Sequence, residues 1–243
     1  MGFVRNLTQG EIVGQILEAQ KAISRPHDPA TPRITNVVLM GMGEPLLNYE
    51  NVVNALKAMI DTKLLNFSRR HLTLSTCGHI PGIERLAAED LGIKLAISLN
   101  ATTDAQREKI MPVNKKYPLA KLFEALKKYS AATKRSRMTF EYVLIDGFND
   151  SNEDAKRLVR FLSYFPSKVN LIPLNPRIVC HSREGGNPVN ARDPRLRGDD
   201  KAPSESTIQR FAQYLRNKHI QVNIRSGRGQ DILAACGQLA GKS

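Results

Sequence analysis

The chain has 243 residues, 41% hydrophobic and 6% aromatic with no tryptophan, enough for one sizeable core. Without a run of about 18 apolar residues or an apolar core in its opening MGFVRNLTQGEI, it excludes a membrane span and a signal peptide. Three cysteines, at 77, 180 and 236, are odd in number and far apart, which argues against a disulfide framework and for a reducing, cytoplasmic setting. The net charge of +13 favours a polyanionic partner such as nucleic acid, held through phosphate contacts that weaken with salt.

In chain order, Thr8-Gln-Gly-Glu11 reads as a capping box, followed by Ile12, Ile16 and Leu17 at helical spacing. ITNVVLM (34–40) predicts a strand ending in GMGEP, and YENVVNALKAMI (49–60) predicts a helix. Strands follow at 71–75, 93–100, 138–145 and 168–175, separated by helices at 81–90, 119–133 and 151–165. Residues 176–206 break the pattern: they are rich in Arg, Asp, Gly, Pro and Asn, lack apolar periodicity, and are too long for an ordinary βα loop. A helix (207–218), a strand (220–226) and the apolar DILAACGQLA complete the chain. Strand and helix patterns taking turns imply βα units around a parallel sheet, an α/β fold.

Small polar residues collect at the carboxyl ends of these strands: Glu44, Ser75, Ser98 with Asn100, and Asn175. Each alone is explained by a cap or a turn. Four strands repeating the pattern on one edge point to a site, since that edge is the functional face of parallel α/β barrels. Ser98 and Asn100 share a strand face with Ala96, and Leu95, Ile97 and Leu99 share the other. GMGEPL does not satisfy G-x-G-x-x-G, because Leu46 occupies the third glycine position and Pro45 interrupts the turn. Its carbonyls and the Glu44 carboxylate suit a cationic amine better than a phosphate. Cys77, Cys180 and Cys236 form no metal-ligand spacing, with each other or with the five histidines, so no metal site is expected; Cys77 reads as a buried thiol.

Taken together, MGFVRNLTQGEIVGQI, VVLMGMGEPLLNYENV, LSTCGHIPGI, LAISLNATTDAQREKIMPVN, TFEYVLIDGFNDS, NLIPLNP and RGQDILAACGQLAG resemble a known family. It is that of the radical S-adenosylmethionine (SAM) RNA methyltransferases that methylate adenine C2 in bacterial 23S rRNA and tRNA. The resemblance spans the chain except about 177–203. It implies a partial (β/α)6 TIM-like barrel with SAM across its carboxyl-terminal face. Gly43 and Glu44 would then hold the SAM amino group, with Ser75, Ser98, Leu99, Asn100 and Asn175 lining the rest. Asn100 stands where family members often have His. Cys236 would be the S-methylcysteine intermediate: one SAM methylates its thiolate, and a second is cleaved reductively at a [4Fe–4S] cluster.

The family's C-x-x-x-C-x-x-C cluster loop belongs just before MGFVRNLT, so the resemblance implies a barrel missing its first strand and its cluster cysteines. The expected organisation is a barrel over 1–176, a disordered insertion over 177–203, and the last helix and strand with the Cys236 segment over 204–243. The resemblance implies 23S rRNA and tRNA as partners, with an upstream fragment supplying the cluster loop and an electron donor if the chain is active. The chain is expected to be an inactive truncation. Alternatives are a non-catalytic SAM- or RNA-binding module and the C8-methylating resistance relative.

Overall fold

A computed structural model of the protein describes residues 4–24, 32–40, 43–133, 137–174 and 201–225. Its six described strands are β1 (Val37–Leu39), β2 (Leu72–Thr76), β3 (Lys94–Ser98), β4 (Met138–Leu144), β5 (Ser167–Pro173) and β6 (Gln221–Ile224). Every neighbouring pair is parallel, and the spatial order is the chain order. Helices α1 (Gln9–Ile23), α2 (Tyr49–Ile60), α3 (Ile80–Glu89), α4 (Asp104–Ile110), α5 (Leu119–Ala132), α6 (Asn152–Leu162) and α7 (Glu205–Arg216) complete the fold. Consecutive parallel strands joined by right-handed crossovers place their helices on one face of the sheet and leave the other face free.

Strand parity sorts the residues between those faces. Leu72, Leu74, Leu95, Ile97, Phe140, Tyr142, Val169 and Leu171 point into the apolar core. There they meet Val52, Val53, Leu56 and Met59 of α2 and Leu119, Leu122, Phe123 and Leu126 of α5. These helical positions fall three and four apart, so one stripe of each helix is buried. Phe123 stacks on Phe161 with ring centroids 4.4 Å apart, and Phe140 lies 6.0 Å from Phe165, which ties α5, α6 and β4 together.

The alternation of strands and helices holds as the sequence predicts, with α2 coinciding with 49–60. The capping box at Thr8 and Glu11 is formed, with Glu11 also paired to Arg5. Three differences have physical causes. The first strand is shorter than 34–40, because Ile34 N–H is drawn to the Gln20 side chain of α1 rather than into the sheet. Helix α4 was not expected at all: its seven residues bury only Arg107, so apolar periodicity is blind to it. Thr103-x-x-Gln106 is the local signal that marks it, with Thr103 accepting from Gln106 N–H. Helix α7 begins at Glu205 rather than 207 because Ser204 caps it, accepting from Thr207 N–H.

Most of the expected insertion, 177–200, lies outside the described residues. Residues 201–203 do not: the Lys201 carbonyl accepts from Asp146 N–H at 3.0 Å and its ammonium pairs with Asp146. Pro203 is buried. No helix among the described residues is long and apolar enough to cross a membrane.

Candidate functional site

At the carboxyl-terminal edge of the sheet, on the face without helices, a cavity of about 160 Å³ is lined from five strands and their following turns. Its walls include Gly43, Glu44, Ser75, Cys77, Ser98, Asn100 and Glu141, with apolar Leu39, Met40, Val143 and Ile172 between them.

Glu44 leaves β1 in an extended conformation (φ −120°, ψ 112°), as its neighbour Pro45 requires. Gly43 precedes it at φ +85°, a left-handed geometry that lets the chain turn without a Cβ clash. The carboxylate is fixed from both sides: Oε1 accepts from Leu46 N–H (3.1 Å) and Oε2 from Cys77 N–H (2.7 Å). Leu46 is in turn wedged against the start of α3, where a Cβ on Gly82 would approach Leu46 Cβ to 2.6 Å. Glycine at 82 therefore permits the close approach that sets the Glu44 turn.

Asn100 follows β3 in a left-handed conformation (φ +59°). Its Oδ1 accepts from Val143 N–H at 3.0 Å, and its own carbonyl accepts from Asn149 Nδ2 at 2.8 Å. The end of β3 is thereby locked to β4. Behind the wall sits Arg107, fully buried, donating to the carbonyls of Cys77 (2.6 Å), Leu99 (3.0 Å) and Ser98 (3.1 Å) and to Asn114 Oδ1 (3.1 Å). Burial lowers its pKa to about 10, and it brackets the ends of β2 and β3. The Cys77 thiol is pushed up to about 12, chiefly by burial and then by the Glu44 carboxylate, so at neutral pH it is a protonated wall group and a poor nucleophile.

The structure thus gathers Gly43, Glu44, Ser75, Ser98 and Asn100 around one cavity. Leu99 is not among its lining residues; its side chain joins the apolar core on the helix side, as its parity with Leu95 and Ile97 dictates. Asn175, Cys180 and Cys236 lie outside the described residues. One charged lining residue was missed by sequence reasoning: Glu141, in the middle of TFEYVL. Its register partners across the sheet are Ser98 and Asn170, and Asn170 Nδ2 donates to its Oε1 at 2.8 Å. A carboxylate inside a strand whose neighbours are all apolar or Thr is the available signal, since such a group is buried only where something meets it.

The residues from Asn6 to Leu162 match the family model described as the radical SAM superfamily. The chain belongs to the radical SAM superfamily. It is 46% identical to the dual-specificity RNA methyltransferase RlmN of Geobacter sulfurreducens over 98% of this chain and 58% of that protein. It is also 46% identical to the protein of that name from Parvibaculum lavamentivorans, over 97% of this chain and 55% of the relative. Among solved structures, a radical SAM methyltransferase from Sphaerobacter thermophilus is 41% identical. It superimposes with a TM-score of 0.81, covering 98% of this chain and 63% of that one. The chain spans little more than half the length of the curated relatives it matches.

Membership of the superfamily implies SAM and a [4Fe–4S] cluster as cofactors. The cavity fits SAM in its chemistry: two carboxylates, hydroxyls and an amide among apolar side chains match a ligand with two cationic groups, a sulfonium and an ammonium, together with hydroxyl and amine donors. For a cluster the described residues do not fit. Among them no group of three or more His, Cys, Asp or Glu could hold a metal ion, and Cys77 is the free cysteine.

Proposed function

We propose that this chain provides the SAM-binding barrel of an RNA methyltransferase that acts on adenine C2 of 23S rRNA and tRNA. The observation that carries the reading is the convergence of Glu44, Ser75, Ser98 and Asn100 on one cavity at the carboxyl-terminal edge. Glu44, oriented by two backbone N–H groups, would accept the SAM ammonium, and Gly43 would offer its backbone beside it. Ser75, Ser98 and Asn100 would position the remainder through hydroxyl and amide groups, and Asn175 is assigned to the same site by the family motif. SAM supplies an activated methyl group when bound. Cys236 is the thiol assigned to carry that methyl, on the resemblance of RGQDILAACGQLAG alone. The net charge of +13 supports an RNA partner held by phosphate contacts. The domain reading also stands as a proposal, with a barrel over 1–176, an insertion over 177–203, and the last helix and strand with the Cys236 segment over 204–243.

Titration of SAM into the chain by calorimetry tests the central claim. Binding is expected, and Glu44→Gln should weaken it by about tenfold or more, the worth of one charge-assisted hydrogen bond. Absence of SAM binding to the folded wild-type chain overturns the reading.

A further inference from the structure

Glu141 combines features that the site reading leaves without a use. It is 5% exposed, it lines the cavity, and its Oε2 has no hydrogen-bond partner among the described residues. Its other oxygen is taken by Asn170, whose own Oδ1 accepts from Asn223 Nδ2 at 3.2 Å. This row runs in register over β4, β5 and β6 and holds the carboxylate in place. The nearest cation is Arg225, whose guanidinium is 3.9 Å from Oε2, too far for a hydrogen bond, with its side chain 54% exposed. The cavity lining contains two carboxylates, Glu44 and Glu141, and no Lys, Arg or His. In a chain of net charge +13 that is a local reversal of sign.

A buried carboxylate oxygen without a donor costs free energy unless a cation or donor meets it on binding. Glu44 is already assigned to the ammonium at the rim. Glu141 lies deeper, within β4 rather than beyond the strand end. We infer that Glu141 is the charge-selecting residue of the cavity, its free oxygen favouring a sulfonium ligand over the corresponding neutral thioether. This rests on the SAM reading above. Burial raises the Glu141 pKa, while Asn170, Arg225 and Lys168 act to lower it, and a cation in the cavity would add to the lowering. Transfer of the SAM methyl to a thiolate leaves S-adenosylhomocysteine, which keeps the ammonium and loses the sulfonium charge. Glu141 would then hold SAM and release this product, whereas Glu44 would hold both alike.

Parallel calorimetric titrations of the full chain with SAM and with S-adenosylhomocysteine test this, with circular dichroism to confirm folding. The wild type should prefer SAM. Glu141→Gln should lower SAM affinity by about tenfold and S-adenosylhomocysteine affinity by less than about threefold, the difference expected of one lost charge pair at intermediate dielectric. Glu44→Gln should weaken both ligands together. Arg225→Gln removes the competing cation and should raise the preference for SAM, and this variant decides the matter if Glu141→Gln does not fold. Equal weakening of both ligands by Glu141→Gln, no weakening of either, or an unchanged preference in Arg225→Gln overturns the inference while leaving SAM binding intact. Failure of the wild type to bind either ligand removes the SAM reading itself.

Discussion

Along β3 and β4, alternate residues of the same strands face two different worlds. On the helix side stand Leu95, Ile97, Leu99, Phe140 and Tyr142, each fully buried in one apolar cluster. On the cavity side stand Ser98, Asn100, Glu141 and Val143, three of the four polar and several of them bonded to backbone or to one another. The helix side gains free energy by leaving water, at roughly 25 cal/mol per Å² of apolar area. The cavity side keeps one Glu141 carboxylate oxygen without a hydrogen-bond partner, a cost that the first side has to outweigh. One face supports the fold, and the other is shaped for a guest.

Mutations on the two faces should therefore separate stability from binding. The largest effect is expected on the helix side: Phe140→Ala, which empties a stacked aromatic position, should cost about 3–5 kcal/mol of unfolding free energy in urea titrations. A loss below about 1 kcal/mol would show that the core collapses into the space.

An intermediate effect is expected where the two faces meet at the strand ends. Burial pushes the Asp154 pKa up, but hydrogen bonds from Ser151, Thr102, Arg157 and Gln106 outweigh it and hold the pKa below the ordinary Asp value. A depressed folded-state pKa contributes stability above the unfolded value of about 3.9, lost as pH falls through the folded value. Wild-type stability should thus decline below about pH 4, and Asp154→Asn should lose about 2 kcal/mol at pH 7 and flatten that acid limb. Parallel acid limbs in the two proteins would disprove the assignment. Smallest in stability is Ser98→Ala on the cavity side. It should shift the unfolding free energy by under about 0.5 kcal/mol while weakening SAM several-fold, a split that calorimetry and urea titration together resolve.

The contrast between the faces also explains what the sequence made legible. Period-two alternation and helical spacing are set by burial, so the βα order, the six strands and most helices could be read. Ser75, Ser98 and Asn100 were legible because polar residues at several strand ends repeat a pattern. Glu141 was not, because a single mid-strand carboxylate has no periodicity and only tertiary register shows that it faces Ser98 and Asn170. Arg107 escaped for a related reason: its acceptors are carbonyls of residues 77, 98 and 99, which no side-chain pattern announces. Leu99 was grouped with the site by motif and with the core by parity, and its side chain followed parity.

The chain leaves β5 at Leu174, whose N–H donates to the Leu144 carbonyl, and is next described at Lys201, whose carbonyl accepts from Asp146 N–H. Departure and return are thus pinned to residues two apart on the same loop. With both ends clasped there, closing a connection between these fixed neighbours grows costlier only logarithmically with its length. Such a clasp makes this position a natural port for grafted sequence: a tag or a sensor domain spliced between 177 and 200 should leave the clasped strand ends in place.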